Sequence, residues 1–226
     1  MHILAVNIDE VAVQSWVDNE YPKIQKAAKK QGAAIYWTDE AAIRSDGPLG
    51  RTWGLEGKMP VFKTSDQRQS INAISTLSNK GGFWYHLYTE RFNAEKFIEC
   101  LRDFMKYRKK PVFMIMDGHP VHKAKKIKAY VESLEEGLLL FLQPPYTPGL
   151  NPDEPVWRQM KQLGTSKKPL KKGESLKNRA MADLHSIKVN KSLIRTVYCG
   201  RAENHDYLLY LALNDIDHTK TKAQSP

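Results

Sequence analysis

The sequence predicts an α/β protein, a mixed sheet with antiparallel first strands followed by parallel strands and with helices on both faces. Three observations predict it. Segments of strand composition at residues 69–77 and 83–88 are joined by a connection short enough for a hairpin. Residues 111–117 (PVFMIMD) and 138–142 (LLLFL) are continuous apolar runs, the composition of strands buried on both faces. A helical segment between those two runs forms a crossover, and crossovers of that length set strands parallel.

The elements follow in order. Residues 9–30 have helical spacing, with Asp9 as N-cap, Val13, Trp16, Val17, Tyr21 and Ile24 on one side, and Pro22 kinking or restarting the helix. Residues 33–39 (AAIYWTD) read as a strand delivering Asp39 to its end, before a loop containing Gly47, Pro48 and Gly50. Further strands are expected at 60–64, 69–77 and, after a turn at 79–82, at 83–88. Residues 92–107 carry Phe92, Phe97, Cys100, Leu101 and Phe104 at helical spacing and lead into the run that ends on Asp117. A basic amphipathic helix (122–134), the second buried strand, a proline-rich loop and a helix from Glu154 to about Leu163 complete the series. Beyond Gly164 the lysine-rich TSKKPLKKGES reads as a mobile segment, with a last helical stretch near 205–213. The implied division is a helical arm (1–32), a core domain (33–164) and a basic C-terminal segment (165–226).

Composition narrows the function classes. A chain of 226 residues can bury one full core, and no apolar run approaches the roughly 20 residues of a membrane span. The start, MHILAVNIDE, lacks the pattern of a signal peptide, so a cytoplasmic protein is expected. Two cysteines exclude a disulfide framework and a four-cysteine zinc site. Lys and Arg exceed Asp and Glu by 35 to 25, and residues 155–201 hold twelve basic residues against two acids. That asymmetry points to a nucleic acid as partner, with Arg158, Lys161, Lys167, Lys168, Lys171 and Lys172 at the start of the basic run, although a merely solvated basic face has the same composition.

Chemistry is suggested by QPPYTPGLNPDEPVW (143–157), where five prolines precede or flank Asp153 and Glu154. Proline fixes φ and removes a donor, so this is a shaped connection, and Tyr146, Leu150 and Trp157 are apolar groups that a solvent linker does not need. Asp39, Asp117 and Glu154 therefore lie at ends or starts of core elements, and strand ends of an open sheet meet at one edge. Converging carboxylates require a compensating cation, which in a cysteine-poor chain means Mg2+ or Mn2+, one ion or two, and phosphoryl-transfer chemistry. Each acid alone can equally be a turn or cap residue. Asp117, His119 and His122 also spell a histidine-based site for zinc or iron. The other histidines fit no matching pattern, so these two imidazoles are expected to orient the Asp117 turn, meet a phosphate or cap the next helix. Phe83, Trp84, Tyr85 and Tyr88 read as core rather than as a base-stacking platform.

WTDE (37–40), RTWGLEG (51–57), MDGHPVH (116–122) and the proline loop resemble, in order, the signature blocks of DDE transposases of the mariner-like superfamily, in particular its bacterial insertion-sequence branch. The 36 residues between Asp117 and Glu154 are of that family's kind. The resemblance covers about residues 9–161 and implies a ribonuclease-H-like (retroviral-integrase-like) fold in which Asp39, Asp117 and Glu154 are the catalytic metal ligands, acting on DNA through Mg2+ or Mn2+. It further implies cleavage and strand transfer of an insertion sequence, a homo-oligomer acting as a dimer on DNA, and a bacterial, nucleoid-associated location. Arg51 and Trp53 match positions near the active site or DNA, and Lys123 follows the second acid's turn; with His119 and His122 they are the candidate DNA contacts of the core. Three departures stand out: Gly118 where asparagine is frequent, Asp153 beside Glu154, and only 38 residues before Asp39, where helix-turn-helix modules are expected. Either a separate half of a split element supplies those modules, or the chain is a truncated copy. A catalytically silent DNA-binding remnant, or another ribonuclease-H-like nuclease, is the alternative.

Overall fold

The computed structural model describes residues 9–46, 68–78, 80–145, 147–163 and 170–199. Among them, β1 (Ala34–Arg44), β2 (Ser70–Ser78), β3 (Phe83–Tyr88), β4 (Val112–Met116) and β5 (Leu138–Leu142) form one sheet in the order β3-β2-β1-β4-β5. The first three strands are antiparallel neighbours, and β4 pairs parallel with both β1 and β5. The helices α3 (Ala94–Met105) and α4 (Lys125–Glu132) make the crossovers into β4 and β5. The expected mixed sheet is present, antiparallel first and parallel afterwards.

All four ladders pair odd-numbered residues with odd and even with even. Side chains alternate along a strand, so residue parity alone gives the face. Ile35, Trp37, Leu77, Phe113 and Ile115 face one core, and Ile74, Tyr88, Val112, Met114 and Met116 face the other. Helices α3 and α4 cover the even face through Phe97, Leu101, Phe104 and Ile127. The odd face is covered from both ends of the chain.

Its N-terminal cover is α1 (Glu10–Ser15), a π turn (Trp16–Glu20) and α2 (Tyr21–Gln31). Asp9 caps α1 by accepting the Ala12 amide at 3.0 Å, as expected. Pro22 has no N–H for a regular helical bond, and the chain arrives at it through the wider turn in which the Tyr21 amide reaches the Trp16 carbonyl. Gly32, at φ 65°, ends α2 in the left-handed conformation that costs glycine least. Trp16 and Tyr21 then pack at 5.7 Å on Trp37 of β1, which fastens the arm to the sheet.

The C-terminal cover is α5 (Glu154–Leu163), α6 (Leu176–Val189) and α7 (Lys191–Cys199). The reading of residues 165–226 as a basic segment, mobile from TSKKPLKKGES onward and with one helix near 205–213, did not include the last two. Leu176, Ala180, Leu184 and Ile187 recur at helical spacing and are buried against the odd face, with Ile194 of α7 beside them. The expected strand at 60–64, the Gly47–Gly50 loop residues and the helix near 205–213 lie outside the described residues. Among the described residues no helix is long and apolar enough to cross a membrane.

Candidate active site

The site forms where β1 and β4 part company. Their parallel ladder runs only from Ala34↔Val112 to Trp37↔Ile115, after which β1 continues to Arg44 with β2 alone. Asp39 therefore sits in mid-strand, not at the strand end expected from the sequence, because β2 pairs with β1 past that point. It is two residues beyond the last β4 pair, and Asp117 is the residue after β4. Both carboxylates flank the gap at the C-terminal edge of the parallel strands, the usual place for a site in an open sheet.

The proline loop brings the third acid to the same gap. Gln143 donates its amide to the Met116 carbonyl at 2.9 Å, and Asn151 gives its side-chain amide to the Thr38 carbonyl at 3.1 Å. Asn151 Oδ1 also accepts the Asp153 amide at 3.0 Å, turning the chain into α5 with Glu154 as its first residue. Asp39, Asp117 and Glu154 consequently line one cavity of about 360 Å³, together with Gly118, His119, Gln143, Thr147 and Asn151. Asp153 does not line it. Its side chain is fully buried and accepts the Ser75 hydroxyl at 2.7 Å, which settles the ambiguity between two adjacent acids in favour of Glu154 facing the cavity.

Burial first, and then crowding of negative charge, governs the electrostatics of Asp39 and Asp153. Burial, and then the Asp153, Glu154 and Glu40 carboxylates, push the Asp39 pKa up to about 9. Asp153 is raised well above the ordinary carboxylate range, chiefly by burial. Asp117 goes the other way, held low by its hydrogen bond to His122. Burial opposes a charge on His122, but hydrogen bonds to Asp117 and Glu40 outweigh it and lift its pKa to about 10. Glu40, Asp117 and His122 offer ligand atoms all within 4.8 Å of one another, so sequence reasoning that paired Asp117 with His119 and His122 missed Glu40. The signal available was WTDE itself: alternation sends Asp39 to the odd face and Glu40 to the even face, where His122 lies.

Other candidate residues scatter more widely. His119 caps a short 3-10 turn (Pro120–Lys123) by accepting the Val121 amide, and it lines the cavity. The Lys123 ammonium lies 3.9 Å from where a Cβ on Gly118 would be, so the missing side chain leaves that rim open. Arg158 is exposed on α5, which also carries Lys161, and Lys171 and Lys172 are exposed just before α6. Arg51, Trp53, Lys167 and Lys168 lie outside the described residues.

Residues 34–177 match the family of DDE superfamily endonucleases, well over half of the 226-residue chain. The chain belongs to the DDE superfamily of endonucleases. Solved structures of Mos1 share the fold of this DDE endonuclease domain. The Mos1 strand transfer complex aligns at a TM-score of 0.55 and 14% identity, covering 90% of this chain and 66% of that one. The Mos1 mariner paired end complex with Mn gives 0.56 and 16%, covering 90% and 67%. The catalytic domain of Mos1 mariner transposase gives 0.51 and 15%, covering 89% of this chain and all of that one. The DDE chain thus spans about two thirds of the length of the first two. At such identities the likeness concerns the fold, a ribonuclease-H-like mixed sheet. No protein of curated function matches the chain.

Proposed function

We propose that this DDE endonuclease is the catalytic part of a mariner-like transposase of the bacterial insertion-sequence branch, which cuts and transfers DNA strands with Mg2+ or Mn2+. One observation carries the proposal: Asp39, Asp117 and Glu154, from three separate parts of the chain, line one cavity. The donor set fits a hard divalent cation, since all three groups are carboxylates, and burial followed by the neighbouring carboxylates disfavours the bare charge on Asp39. Bound there, one or two such ions would activate a water or a 3′ hydroxyl and stabilise charge at the phosphodiester. The residues' own part is to hold and to position. Asp39 and Asp117 hold the cations from the two sides of the strand gap, and Glu154 completes the set from the start of α5. His119 and Lys123 stand on the rim, where a phosphate of the bound strand would pass, and the basic residues of α6 and α7 extend the contact.

Mos1 structures described as strand transfer and paired end complexes, with Mn and with Mg, support this reading by analogy of fold. Under the proposal the chain works as a dimer on DNA in the bacterial cytoplasm, at the nucleoid, and helix-turn-helix modules elsewhere read the element ends. The test is a cleavage assay on labelled element-end DNA with Mg2+ or Mn2+, with Asp117→Asn as control. Metal-dependent nicking lost in the control is expected. DNA binding without any metal-dependent cleavage would make the chain a binding remnant instead.

A further inference from the structure

We propose that Glu40 and His122 form a positioning clamp on Asp117, joining β1 to β4 after their ladder has ended; this rests on the reading of Asp117 as a metal-holding carboxylate. Beyond Trp37↔Ile115 no strand pairing fixes the distance from Asp39 to Asp117. A side-chain link spans the gap instead. Glu40, next to Asp39 on β1, meets His122 Nε2 at 3.1 Å, and His122 Nδ1 meets both the Oδ1 and the main-chain carbonyl of Asp117 at 3.1 Å.

Both ring nitrogens are engaged, and the ring itself is gripped. The His122 side chain is 1% exposed, with the Phe97 ring centroid 4.8 Å away and that of Phe92 at 5.9 Å. The His119 amide adds a 3.0 Å bond to the same Asp117 Oδ1. With Oδ1 taken twice, Oδ2 is the oxygen turned over to a cation, so the clamp selects the carboxylate's rotamer as well as its distance from Asp39. Hydrogen bonding of metal-holding carboxylates by surrounding side chains is general, and losing such a partner costs roughly 10–100-fold in metal affinity or activity. His122 is on this account a positioning residue and no ligand, although Glu40, Asp117 and His122 are close enough to hold an ion themselves.

The experiment titrates the full chain with Mn2+ and reads affinity and spin-echo modulation by electron paramagnetic resonance. Glu40→Ala and His122→Ala are expected to weaken Mn2+ binding tenfold or more. Glu40→Gln, which keeps an oxygen acceptor for the imidazole, is expected to recover most of the affinity, and the wild-type ion should show no imidazole nitrogen coupling. A Gln variant as poor as the Ala variant would make Glu40 a ligand. Nitrogen coupling on Mn2+ that persists in His119→Ala would make His122 one. Either overturns the clamp, as does full affinity in both Ala variants with the fold intact by circular dichroism. The coupling is read with Glu40 and His122 unaltered, so it decides even if a variant at either position fails to fold. A wild-type chain that binds no Mn2+ and cleaves nothing overturns the underlying metal reading, an outcome distinct from a competent wild type with indifferent variants.

Discussion

Ser75 stands directly opposite Asp39 in the β1–β2 ladder and donates its hydroxyl to the buried Asp153 at 2.7 Å. One hydrogen bond thereby ties the start of α5 to the strand beside the first acid, and Glu154 is the next residue. Asp153 Oδ1 has no partner among the described residues, which makes the Ser75 bond the main compensation for burying this group. Ser75→Ala should cost about 1–3 kcal/mol, the range for stranding a buried polar group. Urea unfolding checks it, and a loss within error would show that Asp153 is satisfied in another way.

Proton linkage at Asp39 gives a second expectation. Its pKa rises from 3.8 to about 9 in the metal-free fold, so between those values the folded chain holds a proton that the unfolded chain has lost. Stability falls with pH wherever the unfolded state binds fewer protons, so this group favours the metal-free fold fully only below about pH 4 and increasingly less up to about pH 9. Under the proposed metal-dependent function, a cation would replace that proton. Mn2+ affinity should therefore rise with pH up to about 9, with proton release seen as a buffer-dependent heat in calorimetry. Asp39→Asn should flatten both; persistence of the pH slope in that variant would place the released proton elsewhere.

The three carboxylates should respond alike. Asp39→Asn, Asp117→Asn and Glu154→Gln each preserve shape while removing a charged oxygen, and several kcal/mol of stabilisation at the reacting phosphate corresponds to at least about a hundredfold loss of cleavage. DNA binding in metal-free buffer should change little. Robust cleavage by Glu154→Gln would mean that the proline loop does not deliver a working acid.

Local signals made the acids legible and non-local register hid their supports. Asp117 ends an apolar run and Glu154 follows a run of prolines, both visible within a few residues. Ser75 matters only because β2 pairs in a register that sets it against Asp39, and no short window of sequence carries that. Glu40 was in plain view beside Asp39, but its role depends on β1 continuing as a strand past Asp39, which sends it to the opposite face to meet His122. Between Asp153 and Glu154 only burial decides. In α6 the apolar spacing was present and the surrounding lysines obscured it, because charge counts describe the exposed side of a helix and say nothing of its buried side.

That helix changes how DNA binding has to be tested. Deleting residues 165–201 would strip Leu176, Ala180, Leu184, Ile187 and Ile194 from the odd-face core, so weakened binding would report unfolding as readily as lost contacts. Substitutions confined to the surface avoid this. Lys171, Lys172, Lys177 and Lys191 are exposed, and replacing all four by Gln leaves the buried stripe untouched. If each neutralises a phosphate, the slope of log affinity against log salt should flatten by up to about 0.9 per residue, with affinity at low salt falling for all sequences alike. Fluorescence anisotropy on an arbitrary duplex across a salt series measures it. An unchanged slope would move the DNA track to Lys123, Lys125, Lys126 and Lys128, all exposed, and the same substitution series there would then be the one to flatten it.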